Sequence, residues 1–374
     1  MYNLEKMIID KYKKIVIKVG SSSIVDDVKG SIKIKFLNSL TNDIAKLIRK
    51  NKNIIVVSSG AIALGKKIIS PNKPIRRLDH KQAAAALGQI ELSKSWQQSL
   101  KKNNIDSAQL LLTLDDSEIR RRYLNVRKTI NSLHSKKIIP IINENDTVAT
   151  EEIRYGDNDR LAARVSQMID ADLLIMLSDV DGLYSKIPIK NKKGELVNKV
   201  SEINSSIDKI AGNKSSNLGS GGMKTKIWAA KICMNSGCSM IISNGHKLKP
   251  LSSINKLNCT WFYSKKTPTS SRKQWLLNHL HPSGTIIVDR GAEKAILSNK
   301  SLLPAGVVEI KGKFNRGDVI TINNNKNQKI GIGVTAYDSS DASKIIGKNS
   351  KEIIVILGFE GRDEIIHKDD LVKV

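Results

Sequence analysis

Acids and amides crowd the stretch from Asn143 to Asp159, N-E-N-D-T-V-A-T-E-E-I-R-Y-G-D-N-D, which holds Asn143, Glu144, Asn145, Asp146, Asp157, Asn158 and Asp159. So many polar side chains are too costly to bury without partners, so they line a cleft or cap a helix. Both readings stand locally, because Asp157 to Asp159 directly precede a helical pattern from Leu161 to Ile169. Two lysines stand out elsewhere. Lys18 interrupts the apolar run Lys14 to Val19, where a charge must reach a strand end or meet an anion. An edge-strand lysine facing solvent is the plainer local reading. Lys226 closes G-S-G-G-M-K-T-K, Gly219 to Lys226, where small residues at a helix start offer backbone N–H groups to an anion. Without those glycines it reads as a solvated helix lysine. Gly20 to Ser23 let a backbone approach a ligand closely, and S-S-G-A-I-A-L-G, Ser58 to Gly65, is either a second anion-binding turn or a plain tight turn.

Lysines beside glycine-rich turns suit phosphoryl transfer, which needs cations to neutralise charge growing on the transferred group and N–H donors to hold phosphates. No histidine lies in any of these clusters. The expected nucleophile is therefore one already ionised at neutral pH, such as a carboxylate with a pKa of about 4.3, and not an alcohol that needs a general base. Neither a P-loop nor a G-x-G-x-x-G fingerprint occurs, so a nucleotide site rests on these turns.

The elements that must position these residues alternate. Strands are expected at Lys14 to Val19, Ile54 to Val57, Ala108 to Leu112, Ile138 to Ile142, Leu173 to Leu177 and Met240 to Ile242. Between them lie a helix with Phe36, Leu37, Leu40, Ile44, Leu47 and Ile48 on one stripe, helical runs at Gln82 to Leu100 and Ile119 to Leu133, and one through Ala229, Ala230 and Ile232. Apolar strands alternating with helices predict an α/β fold, a mainly parallel sheet covered on both faces in three layers. Ligands then belong at the carboxyl ends of the strands, where every cluster named above falls. From about residue 283 the texture changes: T-I-I-V-D, V-V-E-I, D-V-I-T-I and I-I-V-I-L read as short strands with little helix, a small β-rich module. The expected division is a main domain at 1–263, a linker at 264–282 and the β-rich module at 283–374.

At 374 residues the chain suits two domains. Its formal charge of +26 invites a polyanion partner, but lysine far outnumbers arginine and is scattered through every segment, which favours compositional drift over a dedicated surface. Cys233, Cys238 and Cys259 show neither disulfide nor zinc spacing, so no metal site is expected and a reducing cytoplasm is. No run of about 18 apolar residues occurs, so no membrane span is expected, and the first dozen residues do not read as a secretory signal.

The motifs V-I-K-V-G-S-S at Val16 to Ser22, S-S-G-A-I-A-L-G, I-N-E-N-D-T-V-A-T at Ile142 to Thr150, G-D-N-D at Gly156 to Asp159, S-D-V-D-G-L-Y at Ser178 to Tyr184 and G-S-G-G-M-K-T-K stand in this order. In this the chain resembles the glutamate 5-kinase family of the amino acid kinase superfamily, carrying a C-terminal PUA domain. The resemblance implies an amino acid kinase fold and transfer of phosphate from ATP, with Mg2+, to the γ-carboxylate of L-glutamate, the first step of proline synthesis. It makes Lys18 and Lys226 the pair that stabilises the transferred group, with Asp159 holding them. Ser59, Asp146, Asn158 and Asn143 would bind glutamate. Lys18, Ser178, Asp179, Ser220, Gly221, Gly222, Met223, Lys224, Thr225 and Lys226 would hold ATP. It further implies a homo-oligomer, dimer or tetramer, with proline as a candidate feedback inhibitor. Serine stands at Ser178 and Ser220 where threonine is common, and Lys224 adds a charge beside the phosphate loop. Kinases of aspartate, acetylglutamate or nucleotides lack the pairing of I-N-E-N-D with G-D-N-D.

G-T-I-I-V-D-R-G-A, Gly284 to Ala292, and S-L-L-P-A-G-V, Ser301 to Val307, resemble PUA domains, which bind RNA in other proteins. Aromatic residues for base stacking are sparse here, Phe314 being one of few, so a structural or regulatory role is expected ahead of RNA binding.

Overall fold

The computed structural model describes residues 8–71, 73–148, 157–186, 194–212, 222–268 and 282–373. The chain divides into two compact units, Met1–Pro268 and Thr269–Val374. In the first, the apolar runs form β1 (Lys14–Val19), β2 (Asn53–Ser58), β3 (Ser107–Leu112), β4 (Ile139–Glu144), β5 (Leu173–Ser178), β6 (Lys199–Val200), β7 (Ser239–Asn244) and β8 (Cys259–Phe262). The main helices between them are α1 (Ile34–Arg49), α2 (Ala61–Ile69), α3 (Leu78–Lys101), α4 (Arg120–Ser135), α5 (Asp157–Met168) and α6 (Met223–Asn235).

One eight-stranded sheet runs in the order β6-β8-β7-β5-β1-β2-β4-β3. From β7 to β3 all neighbours are parallel, whereas β8 runs antiparallel to β7. Side chains alternate across the sheet, and the two faces bury two different cores. Ile15, Ile17 and Val19 of β1 pack with Leu37, Leu40 and Ile44 of α1 and with Trp96 of α3. Val16 packs with Leu161 and Val165 of α5 and Ile227 and Ala230 of α6. Each buried valine, leucine or isoleucine among them contributes about 1.5–3 kcal/mol, so both helical layers are fixed to the sheet. This is the expected three-layer fold.

Parity then aims the polar residues. Lys18 shares the face of Val16 and turns toward α5 and α6, while Asn143, in step with Ile139 and Ile141, turns toward α3. The edge-strand reading of Lys18 is overturned, because β1 pairs with β2 on one side and β5 on the other. Two boundaries also move. Strand β4 continues through Asn143 and Glu144, which pair with Leu111 and Leu112 of β3, so backbone pairing carries polar residues into the sheet. Helix α5 starts at Asp157, so Asn158 and Asp159 lie in its first turn instead of capping it from outside.

Two features bring α3 to the site. A Cβ on Gly65 would stand 1.9 Å from the Ala84 carbonyl oxygen and one on Gly88 1.8 Å from that of Ala61, so only glycines let α2 and α3 cross this closely. Trp96 of α3 also donates its indole N–H to the hydroxyl of Ser58 at 2.9 Å. The described part of the N-terminal segment packs on the first unit: Ile9 is fully buried, Asp10 pairs with Lys50 at 2.7 Å, and Tyr12 stacks on Trp261.

The second unit holds a five-stranded sheet of β9 (Gly284–Val288), β10 (Val307–Lys311), β11 (Val319–Asn324), β12 (Lys329–Val334) and β13 (Leu371–Lys373), in the order β10-β9-β11-β12-β13. More helix is present than the sequence suggested. D-R-G-A opens α7 (Arg290–Leu297), whose N-cap Asp289 accepts from the Ala292 N–H at 2.7 Å, and α8 (Ser339–Lys344) is capped by Asp338. I-I-V-I-L is not a strand but the one-turn helix α9 (Ile353–Leu357). An Asn349–Glu352 capping box leads into it and Gly358, at φ +75°, stops it. A short β-branched run does not by itself distinguish the two states. Phe314 is buried in this unit's core and so offers no ring for stacking.

Candidate active site

Three charges meet at the carboxyl end of β1. Lys18 Nζ lies 2.7 Å from Asp159 Oδ1 and Lys226 Nζ lies 3.2 Å from Asp159 Oδ2. Thr225 donates its hydroxyl to the same Oδ2 at 2.9 Å. All three charged side chains are buried, Asp159 to 1% exposure. Burial pushes the Asp159 carboxyl up, but Lys18, Lys226 and the hydrogen bonds outweigh it and hold the carboxyl at about 2, below its ordinary 3.8. The carboxylate is thus ionised at neutral pH, and two ammonium groups around one carboxylate leave a net positive charge in a low-dielectric site. The three come from separate elements, β1, α5 and the first turn of α6.

Beside them runs a chain of amides. Asn158 Nδ2 donates to Ser59 Oγ at 2.8 Å and to Asn143 Oδ1 at 3.0 Å, and Asn143 Nδ2 donates to Gln89 Oε1 at 2.7 Å. Ser59 follows β2 and its N–H donates to Val19 O at 3.0 Å. The next residue, Gly60, has φ +123°, a turn that favours glycine and starts α2. Asn158 Oδ1 is buried without a partner among the described residues. Asp146 lies half-buried in the turn after β4, at the same end of the sheet.

A third group occupies the ends of β5 and β7. Ser178 donates its hydroxyl to Asp179 Oδ1 at 2.9 Å, and the Gly245 N–H donates to Ser178 O at 2.6 Å. Asp181 accepts from Tyr184 Oη at 2.9 Å, Asn244 Nδ2 at 3.3 Å and Lys247 Nζ at 3.2 Å. Burial raises its carboxyl, and these donors bring it below the usual range. Gly222 immediately precedes α6 in extended backbone, Met223 is half-buried and Lys224 exposed. Gly219, Ser220 and Gly221 lie outside the described residues, as do Ala149, Thr150 and Gly156 of the other motifs.

The amino acid kinase family profile matches residues 13–244 and the PUA domain profile matches residues 284–357. A glutamate 5-kinase of Paramagnetospirillum magneticum is 47% identical over 361 residues, 96% of this chain and 97% of that one. A glutamate 5-kinase of Bradyrhizobium diazoefficiens is 48% identical over 366 residues, 97% of this chain and 98% of its own. The chain belongs to the amino acid kinase family, with the glutamate 5-kinases. A glutamate 5-kinase of Agrobacterium fabrum is 49% identical over 96% of this chain. A solved UMP kinase of Ureaplasma parvum overlaps 67% of this chain and 98% of its own at 16% identity, with a TM-score of 0.48.

Within this kinase fold the structure joins Lys18, Asp159, Lys226 and Thr225 in one cluster and Ser59, Asn143 and Asn158 in another. Two contributors escaped the sequence reading. Gln89 carried one signal, its neighbour Gly88, since glycine inside a helix marks a close approach. Asp181 sat inside the quoted S-D-V-D-G-L-Y, but its partners Asn244 and Lys247 are distant in sequence.

Proposed function

We propose that this chain phosphorylates the γ-carboxylate of L-glutamate with ATP, giving glutamyl 5-phosphate and ADP, the step that opens proline biosynthesis. The observation that carries the reading is the buried pair of lysines around Asp159, set beside the Ser59–Asn158–Asn143 chain. A carboxylate approaching a triphosphate meets strong repulsion, and Lys18 and Lys226 supply the opposing charge. A γ-carboxylate oxygen attacks the γ-phosphorus as the bond from that phosphorus to the bridging oxygen breaks, and the electron pair leaves with ADP. The nucleophile is ionised at neutral pH, so no general base is required. Asp159 holds both lysines in register without touching substrate. Ser59, Asn143, Asn158 and Asp146 take glutamate, and Ser59, whose oxygen accepts from Asn158, keeps its proton to donate.

ATP is held by Ser178, Asp179 and the segment Ser220 to Lys226, with helix α6 presenting its N-terminal N–H groups to phosphate. Asp159 Oδ1 pairs with Lys18 and Oδ2 with Lys226 and Thr225, so Asp159 would not be a magnesium ligand, and the ion would come with the nucleotide and offset phosphate charge. The domain division at 1–263, 264–282 and 283–374 places all these residues in the first part. A homo-oligomer with proline as feedback inhibitor completes the reading on family membership alone, while a reducing cytoplasm rests on the unpaired cysteines and a structural or regulatory tail on its sparse aromatics. Trapping the acyl phosphate as its hydroxamate, from glutamate, ATP and magnesium, tests the reaction. Hydroxamate that forms without glutamate, or none at all, refutes it.

A further inference from the structure

The amide chain has a direction. Asn158 Nδ2 points to Asn143 Oδ1 at 3.0 Å, Asn143 Nδ2 points to Gln89 Oε1 at 2.7 Å, and Gln89 Nε2 points to Ser93 Oγ at 3.1 Å. Every link uses its nitrogen to donate toward Ser93, which leaves the oxygen of Asn158 at the far end. That atom is the buried acceptor without a partner among the described residues. An unfilled buried acceptor is destabilising, a cost that a bound donor removes. Reversing all three amides would leave an NH2 group there instead. Serine hydroxyls sit beside both ends, Ser59 and Ser93, and a hydroxyl accepts or donates equally well, so neither end enforces the direction.

Gln89 occupies the link between α3 and β4, where an acceptor-only or donor-only side chain would impose one direction. It lies one residue beyond Gly88, whose contact with Ala61 brings α3 against the site, and it reaches Asn143 because the parity of β4 turns that residue toward α3. We propose that Gln89 is a positioning residue for substrate selection: its Oε1 fixes the Asn143 amide, which fixes Asn158 with its oxygen toward the α-ammonium group of the amino acid. The proposal rests on the reading of Asn158 as a glutamate contact. Gln89 itself touches no substrate.

The test replaces Gln89 by a pure acceptor and by a pure donor. Gln89→Glu holds the observed direction, so the KM for glutamate stays within twofold of wild type. Gln89→Lys enforces the reverse, and the KM for glutamate rises at least tenfold while the KM for ATP is kept. Gln89→Met, similar in length and without an acceptor, raises the glutamate KM at least threefold and serves where the lysine variant does not fold. In an Asn143→Ala background the gap between the Gln89→Glu and Gln89→Lys variants closes, because the relay is cut. Equal glutamate KM values for those two variants, a wild-type value for Gln89→Met, or a gap that persists in Asn143→Ala overturns the relay. An equal rise in the KM for ATP overturns it as well, showing general loosening. Wild-type protein that forms no hydroxamate with glutamate overturns the functional reading instead, so the two failures are distinguishable.

Discussion

Replacing Asp159 by asparagine removes one charge and leaves its shape, which makes Asp159→Asn the sharpest probe of the lysine pair. The carboxyl, held at about 2 against an ordinary 3.8, gains about 2 kcal/mol from its surroundings net of its burial. Asparagine forfeits that and leaves Lys18 and Lys226 buried without a counter-charge, a loss that for a broken buried pair runs to about 3–5 kcal/mol. Retained hydrogen bonding from Thr225 sets the expected value near the lower end, about 3 kcal/mol. At about 2 °C per kcal/mol for a domain of this size, the melting temperature falls by about 6 °C. The folded carboxyl is the more acidic one, so the difference from wild type is full above about pH 4 and shrinks as pH falls toward 2. ATP adds a second test, since its phosphates neutralise lysines that Asp159 no longer does. Thermal melts at pH 7.5 with and without saturating ATP and no glutamate therefore show a larger ATP-induced rise in the variant than in wild type. Turnover falls at least a hundredfold, as the lysines lose their register. An unchanged melting temperature, or a smaller ATP-induced rise in the variant, refutes the electrostatic account.

Lys226→Ala lowers turnover at least a hundredfold, about 2.7 kcal/mol of barrier, and changes the glutamate KM little; steady-state kinetics showing the opposite pattern removes it from the transferring group. Deleting the chain after Leu280 leaves hydroxamate formation measurable in soluble, folded protein, because every residue in the site precedes it. Asp146→Asn raises the glutamate KM ten- to a hundredfold and spares that for ATP, and N-acetylglutamate is a very poor substrate, since charge-assisted hydrogen bonds to an ammonium contribute about 1.5–3 kcal/mol each. A weakened ATP KM in that variant assigns the acidic turn to the nucleotide.

What the sequence disclosed and what it hid follow from the range of each interaction. Strands such as Lys14–Val19 announce themselves because an inner strand of a parallel sheet is apolar on both faces, and the glycine-rich turns announce themselves through local backbone demands. Lys18 was ambiguous for the same reason: one charge in an apolar run fits an edge or a site, and only the strand order, β5-β1-β2, decides. The boundary of β4 moved because Asn143 and Glu144 are polar yet paired to β3, and hydrophobic pattern does not register a hydrogen-bond ladder. Gln89 lay beyond reach on different grounds. It stands 54 residues from Asn143, and their meeting needs Gly88 to bring α3 against α2 and strand parity to turn Asn143 to that face. Each requirement is local and visible alone, but their product is a contact in space. Lys18 and Lys226 were therefore legible as candidates by type and spacing, with their roles and that of Asp159 implied by the family resemblance, whereas Gln89, which accepts from Asn143, is an ordinary helix residue until the fold puts the two side by side.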